Sequence, residues 1–265
     1  VSGGTPALGP AAGGRGFGDV LITLRANVVK AILPATTYDG TTDTVGVARS
    51  LPVLVPSLDL RFGLFQKALP VGTASVDLLG SINGIPMDIT EHVRFGSDVR
   101  SVGGVALGFG YGLRIAMAPK EPLPWASLNV GRHDLPTFTV GDLSRGSNFA
   151  YTVAVSAINV RLLAGKRFGA FELTGGGGVD LIKGSYSLVY RDPATEVVSP
   201  RADSSVSMMR IVTTTNGSFR LGGLARLSFE AGFQVGKDEK LPTIFEGNNT
   251  KSGRFFGAVG IGFKL

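Results

Sequence analysis

The stretch "RFFGAVGIGFKL", residues 254–265, alternates without a break. Phe255, Gly257, Val259, Ile261, Phe263 and Leu265 form one set, and none of them is charged. Phe256, Ala258, Gly260, Gly262 and Lys264 form the other set, mostly small and ending in a charge. An extended chain points successive side chains to opposite faces, so this strand has one greasy face and one nearly empty face. Whether the greasy face meets a protein core or lipid decides the fold.

The same period of two recurs through the chain, and helical periodicity does not. Val20, Ile22, Leu24, Ala26 and Val28 alternate with Asp19, Thr23, Arg25 and Asn27. Leu54, Pro56, Leu58, Leu60, Phe62 and Leu64 alternate with Ser57, Asp59, Arg61 and Gly63. Ala74, Val76, Leu78 and Ile82 alternate with Ser75, Asp77, Ser81 and Asn83. The cleanest run sets Val105, Leu107, Phe109, Tyr111, Leu113, Ile115 and Met117 against Gly104, Ala106, Gly108, Gly110, Gly112, Arg114 and Ala116. A fifth run, "WASLNVGRHDLPTFTVG" (residues 125–141), is broken by Pro136, which predicts an irregular upper half.

In the sixth run Phe149, Tyr151, Val153 and Val155 point outward, and the phase then shifts to Ile158, Val160 and Leu162. A one-residue bulge near Ala157 accounts for such a shift. The seventh run sets Phe171, Leu173, Val179 and Leu181 against Glu172, Thr174 and Asp180. The eighth sets Ile211, Phe219 and Leu221 against Arg210, Thr214, Asn216, Ser218 and Arg220. Leu227, Phe229, Ala231, Phe233 and Val235 face away from Ser228, Glu230, Gly232, Gln234 and Gly236 in the ninth, and residues 254–265 make the tenth.

Short links near residues 67–72, 119–124 and 165–169 and at Gly222–Gly223 alternate with longer polar ones near 31–51, 87–99, 192–206 and 237–252. The link at 143–148 is shorter and departs from that rule. Short turns at one end and long loops at the other describe an up-and-down antiparallel meander. Ten strands follow, or twelve if residues 31–53 hide a further hairpin. Residues 1–16, rich in Gly, Ala and Pro, read as a flexible tail, and residues 17–265 as one barrel domain.

Composition narrows the class. Hydrophobic residues make up 43% and charged residues only 17%, with 39 Gly in 265 residues. That balance suits many strands joined by tight turns better than a soluble enzyme. With no Cys there are no disulfides, thiol nucleophiles or Cys-ligated metals. The net charge of +6 is scattered rather than gathered into a basic stripe, so nucleic acid is not an expected partner. No uncharged run approaches the ~18 residues of a spanning helix.

A soluble barrel points its apolar face inward; a transmembrane barrel inverts this. The polar face here is rich in Gly, Ala and Ser, where a soluble surface carries Lys and Glu. Small residues suit the concave side of a narrow barrel. The apolar stripes match the ~9–11 residues of a tilted membrane-crossing strand. Phe17, Phe149, Tyr151, Phe171, Phe219, Phe255 and Phe263 lie near stripe ends, where interfacial girdles sit. On the polar parity, Asp19, Asp59, Asp77, Glu172, Asp180 and Glu230 are nearly balanced by Arg25, Arg61, Arg114, Arg161, Arg210, Arg220 and Lys264. The fold class is therefore all-β, a transmembrane up-and-down antiparallel β-barrel whose lumen carries these charges.

The closing "GAVGIGFKL" resembles the C-terminal insertion signal of Gram-negative outer-membrane barrels. Gly260, Phe263 and Leu265 match it; Ala258 stands where a polar residue is usual, and the last residue is Leu where Phe is commoner. The resemblance implies a bacterial outer membrane, its lipid as solvent, and the barrel-assembly machinery as a partner during insertion.

Chemistry is sparse. The two histidines are His92 and His133, and only His133 has an adjacent acid, Asp134. No matching Asp pair and no recognisable Ser–His pair accompany them, so an outer-membrane hydrolase is a remote reading. Asp39, Asp43 and Glu91 match no calcium loop, and no metal or cofactor is expected. "TGGGGVD" (174–180) lacks the Lys-Ser/Thr of a phosphate loop; its glycines permit tight curvature or close approach of a plug. The functional expectation is a narrow passive channel or small-solute-conducting barrel, with the inward charges setting selectivity. The alternative is a closed structural barrel that binds a partner in an envelope assembly. "KDEKLPTIFEGNNTKSG" (237–253) reads as a lumen plug, a partner-binding projection or ordinary surface packing.

Overall fold

The computed structural model describes residues 16–33, 38–39, 44–45, 49–87, 93–95, 99–120, 123–236 and 253–265. Among them, ten strands form a closed antiparallel barrel: β1 (Val20–Leu33), β2 (Arg49–Leu69), β3 (Gly72–Pro86), β4 (Val105–Pro119) and β5 (Trp125–Asp134), then β6 (Phe149–Phe168), β7 (Phe171–Tyr190), β8 (Ala202–Leu221), β9 (Ala225–Gly236) and β10 (Arg254–Lys264). Each pairs with its sequence neighbour, and β10 returns to β1 from Leu21 opposite Lys264 to Val29 opposite Phe256. Closure leaves no sheet edge along the seam, which is the condition for burying a sheet in hydrocarbon.

The wall has the inverted polarity of a lipid-facing sheet. Leu162 is 63% and Phe255 77% exposed on the outside, whereas Asp180, Arg114 and Arg161 are at most 1% exposed inside. The turns β2–β3, β4–β5, β6–β7 and β8–β9 share one rim with the start of β1 and the end of β10. The longer links share the other rim, here called the loop end.

Among the described residues of 31–53 there is no barrel strand beyond the end of β1 and the start of β2. Tyr38–Asp39 and Thr44–Val45 pair with each other in a separate two-stranded sheet. The barrel's register shift lies elsewhere, on β2 between Gly63 and Phe65. Gly63 is required there: a Cβ would sit 2.1 Å from the carbonyl oxygen of Gly16, where the turn leading into β1 crosses β2. The expected tail falls outside the described residues up to position 15.

The bulge expected near Ala157 is absent. β6 pairs with β7 in one unbroken register from Phe149 opposite Tyr190 to Phe168 opposite Phe171. Phe149 and Tyr151 share the inward parity of Asn159 and Arg161, and both are buried. They are not girdle residues. What changes along β6 is the surrounding solvent. Below Ile158 the outer face is apolar and the inner face carries Asn159 and Arg161; above it the inner face is apolar and the outer face, Ser156, Ala154, Thr152 and Ala150, is small or polar. β6 to β8 are 20 residues each, about twice the length a membrane crossing needs, so their upper halves stand clear of the apolar band.

The irregularity sits instead beside β6. β5 ends at Asp134, and residues 135–137 break its pattern at Pro136. Phe138–Val140 then resume pairing with β6, one residue out of step, and pair on their far side with Val93–Phe95. The link after β5 therefore spans residues 135–148 and is a long loop like the others. Val93, Val140, Phe149 and Tyr151 form a buried apolar cluster on the inner side of this extension, with Phe95, Phe138, Leu188 and Tyr190 packed against it.

Candidate functional site

The lumen is where the chain concentrates its chemistry. Strand alternation delivers each charge inward, and the register decides which charges meet. Asp77 on β3 lies directly opposite Arg114 on β4, and their side chains approach to 2.9 Å. Asp180 on β7 bonds Arg161 on β6 and accepts from Asn159 Nδ2. Arg161 also donates to the carbonyls of Val160 and Val179. Arg61 meets Asp19 at 2.5 Å, and Lys264 meets the other oxygen of the same carboxylate at 2.7 Å. Asp19 thus ties β1, β2 and β10 together at the short-turn rim.

Two pairs reach across an intervening strand. Arg25 on β1 contacts Asp59 on β2 at 3.3 Å and Glu230 on β9 at 3.6 Å. Between β1 and β9 lies β10, which presents Gly260 and Ala258 at this level. Arg226 on β9 likewise reaches Glu172 on β7 at 3.5 Å, passing Ser218 of β8 at 3.1 Å.

Glycine placement explains how so much guanidinium fits in so narrow a barrel. Arg25 lies opposite Gly260, Arg161 opposite Gly178, Arg210 opposite Gly236 and Arg226 opposite Gly262. Each missing side chain vacates volume beside an arginine stem. A Cβ on Gly178 would lie 1.8 Å from the carbonyl oxygen of Val160, and one on Gly176 2.1 Å from that of Leu162. Gly176 and Gly178 of "TGGGGVD" thus serve a close approach of β7 to β6, and Gly177 one to Val212 of β8.

Of the residues singled out in the sequence, Asp19, Arg25, Asp59, Arg61, Asp77, Arg114, Arg161, Glu172, Asp180, Glu230 and Lys264 enter these ion pairs. Arg210 is buried opposite both Asp180 and Gly236, and Arg220 is half-buried toward the short-turn rim. Arg226 was not among them, although its even number on β9 puts it on the same face as Ser228 and Glu230. Gly260 faces the lumen, while Phe263 and Leu265 are exposed on the outer face. Uncharged inner residues also fill the waist: Leu79, Thr23 and Asn159 are each at most 2% exposed.

His133 and Asp134 do not make an acid–base pair, since alternation sends them to opposite faces. His133 points inward over Gly110, where a Cβ would come within 2.5 Å of its Nδ1 and 2.3 Å of Ser81 Oγ. Asp134 is paired with Arg132 at 2.9 Å on the outer face. His92, Asp43, Glu91 and residues 237–252 lie outside the described residues; Asp39 is described there only as part of its short strand. Among the described residues no group of His, Asp or Glu is placed to hold a metal.

One loop-end device is pH-sensitive. Asp142 caps the short 3-10 turn Leu143–Arg145, accepting from the Ser144 hydroxyl at 2.6 Å and the Ser144 amide at 3.0 Å. It also pairs with Arg94 and Arg145, fastening the Val93–Phe95 segment to this loop. The Ser144 hydroxyl above all, helped by that amide and the two arginines, holds the carboxyl below the usual range. A depressed folded value contributes stability above the ordinary carboxylate pKa, and that stability is lost as pH falls through the depressed value. Intrinsic-rate-corrected amide exchange at Ser144 is expected to accelerate as pH falls below about 4. Asp142→Ala should exchange fast at every pH; a flat profile in the unsubstituted protein would remove the capping role.

No protein-family profile and no curated protein sequence matches the chain. Among solved structures, the outer-membrane protease OmpT of Escherichia coli is similar at 11% identity and a TM-score of 0.47, over 93% of this chain and 97% of that one. The translocator domain of the autotransporter NalP from Neisseria meningitidis is similar at 14% identity and 0.40, over 95% and 90%. The toluene transporter TodX of Pseudomonas putida gives 10% and 0.30, over 93% and 89%. None of these likenesses bears on what the chain does.

Proposed function

We propose that the chain is an integral barrel of a bacterial outer membrane whose lumen is shut by ion pairs, and whose working surfaces are its loop end and outer wall. The observation that carries this reading is the dry waist. Asp59, Asp77, Arg114, Arg161 and Asp180 ring the interior and are nearly unreachable by water. A passive channel would require those pairs to part, and each parting strands a desolvated charge. The folded extension above the apolar band fits the interaction-barrel alternative, with an envelope partner met at the loop end. The resemblance of residues 257–265 to an insertion signal supports outer-membrane lipid as the solvent and the barrel-assembly machinery as the partner during insertion.

Planar-bilayer recording tests the closed lumen. The unsubstituted barrel is expected to give no conductance steps at any voltage. The double variant Asp77→Ala/Arg114→Ala removes a whole pair and is expected to leak. Stable steps from the unsubstituted barrel would overturn the closed reading in favour of a passive channel.

A further inference from the structure

The outer wall carries a groove of about 490 Å³ at the loop end of β5 to β8, where Asp134, Ser156, Lys183, Ser185, Ser205 and Ser207 are set among Leu135, Ala154, Val155 and Val206. The register arranges these residues in rows. Asp134 lies opposite Ser156, Ser156 opposite Lys183, and Lys183 opposite Ser207. Ser185 and Ser205 face each other in the next row up. One row down, Arg132, Ile158, Leu181 and Met209 stand side by side, and the last three are exposed apolar residues. The groove therefore begins ~6.6 Å, two residues, above the top of the apolar band.

We infer that this groove binds the phosphorylated sugar headgroup of a lipid in the surrounding leaflet; the inference rests on the membrane reading above. The depth fits the source: acyl chains lying on Ile158, Leu181 and Met209 bring their headgroup to the Ser156–Lys183–Ser207 row. The chemistry fits the headgroup. Lys183 offers three donors and no acceptor, and its cross-strand neighbours on both sides are hydroxyls. Among the described residues its ammonium has no carboxylate partner, because Asp134 is engaged by Arg132. A phosphate completes such a cation with charge-assisted hydrogen bonds, and serine hydroxyls add donors to its oxygens. The Asp134–Arg132 pair at the groove's edge supplies an acceptor and donors for sugar hydroxyls.

The test uses the full chain in detergent micelles, with native mass spectrometry counting bound lipid. The probe is an acylated, diphosphorylated glucosamine disaccharide. Its dephosphorylated form and inorganic phosphate run as separate arms. One lipid per barrel is expected, with retention weakened about tenfold by Lys183→Ala. Ser156→Ala/Ser207→Ala should weaken it severalfold, while Lys166→Ala at the opposite rim should leave it unchanged. Equal retention by Lys183→Ala, or equal binding of the dephosphorylated lipid, overturns the proposal. Displacement by equimolar inorganic phosphate overturns the lipid source in favour of a free anion. Lys183-dependent barrel dimers assign the groove to a second copy instead. Heat-modifiable gel mobility verifies that each variant is folded. Insertion into vesicles is scored separately, so failure of the membrane reading shows as a folded chain that stays out of lipid.

Discussion

Asp180→Ala is expected to lower the unfolding free energy of the barrel by about 3–5 kcal/mol, the cost of leaving a buried charge without its partner. Asp180 is wholly inaccessible, and Arg161 beside it is 1% exposed. Arg161 cannot escape to water, because its Nη1 is held by the carbonyls of Val160 and Val179. Its backbone lies directly opposite Gly178 on β7. Asp180→Ala also removes the acceptor of Asn159. Asp180→Asn keeps the shape and an acceptor but loses the charge, so its loss should be intermediate. The double variant Arg161→Met/Asp180→Leu should lose less than the sum of its singles, since replacing a whole buried pair with apolar volume is often neutral. Urea titration of the vesicle-inserted barrel, followed by Trp125 fluorescence, reads these differences. Losses below about 1 kcal/mol for Asp180→Ala would mean a solvated pair; the dry-waist reading would then fail.

The alternation of residues 254–265 and its nine repeats contained the barrel because period two is local: each residue's face depends only on its neighbours along the chain. Register is not local, and the partner of each charge depends on it. Asp59 and Arg61 sit two apart on β2, yet they pair with Arg25 on β1 and with Asp19 just before it, and not with their own register partners Thr23 and Leu21. The match of Arg25, Arg161, Arg210 and Arg226 with glycines on adjacent strands was equally invisible before the strands were aligned. The sixth run failed for a different reason. Its apparent change of phase at Ala157 came from judging outwardness by hydrophobicity, which holds only within one solvent. Where β6 leaves lipid for water the apolar face switches sides while the backbone continues unbroken. A pattern break without a Gly or Pro inside the strand is thus a marker for the membrane border. Pro136, by contrast, did mark a break in the backbone.

Deleting Phe263–Leu265 is expected to reduce the yield of inserted, heat-modifiable barrel at least tenfold, roughly the effect of losing two or more backbone hydrogen bonds in hydrocarbon. These three residues finish the only seam that joins the two ends of the sheet. Ile22 faces Phe263 and Leu21 faces Lys264 on β1, while Ala225 faces Phe263 on β9. The amides of Lys264 and Leu265 donate to the carbonyls of Leu224 and Val20. Lys264 also shares Asp19 with Arg61, so the deletion loosens the one rim contact common to β1, β2 and β10. Phe263 and Leu265 point outward and touch no lumen charge, which separates two roles that the deletion combines. Phe263→Ala/Leu265→Ala keeps the backbone seam and removes only the outward side chains. If those side chains are read by the barrel-assembly machinery, the point variant inserts slowly with the machinery present and normally in its absence. The deletion, which opens the seam, should fail in both settings. Protease protection in vesicles measures both, and normal insertion of the deleted chain would refute the seam and the signal together.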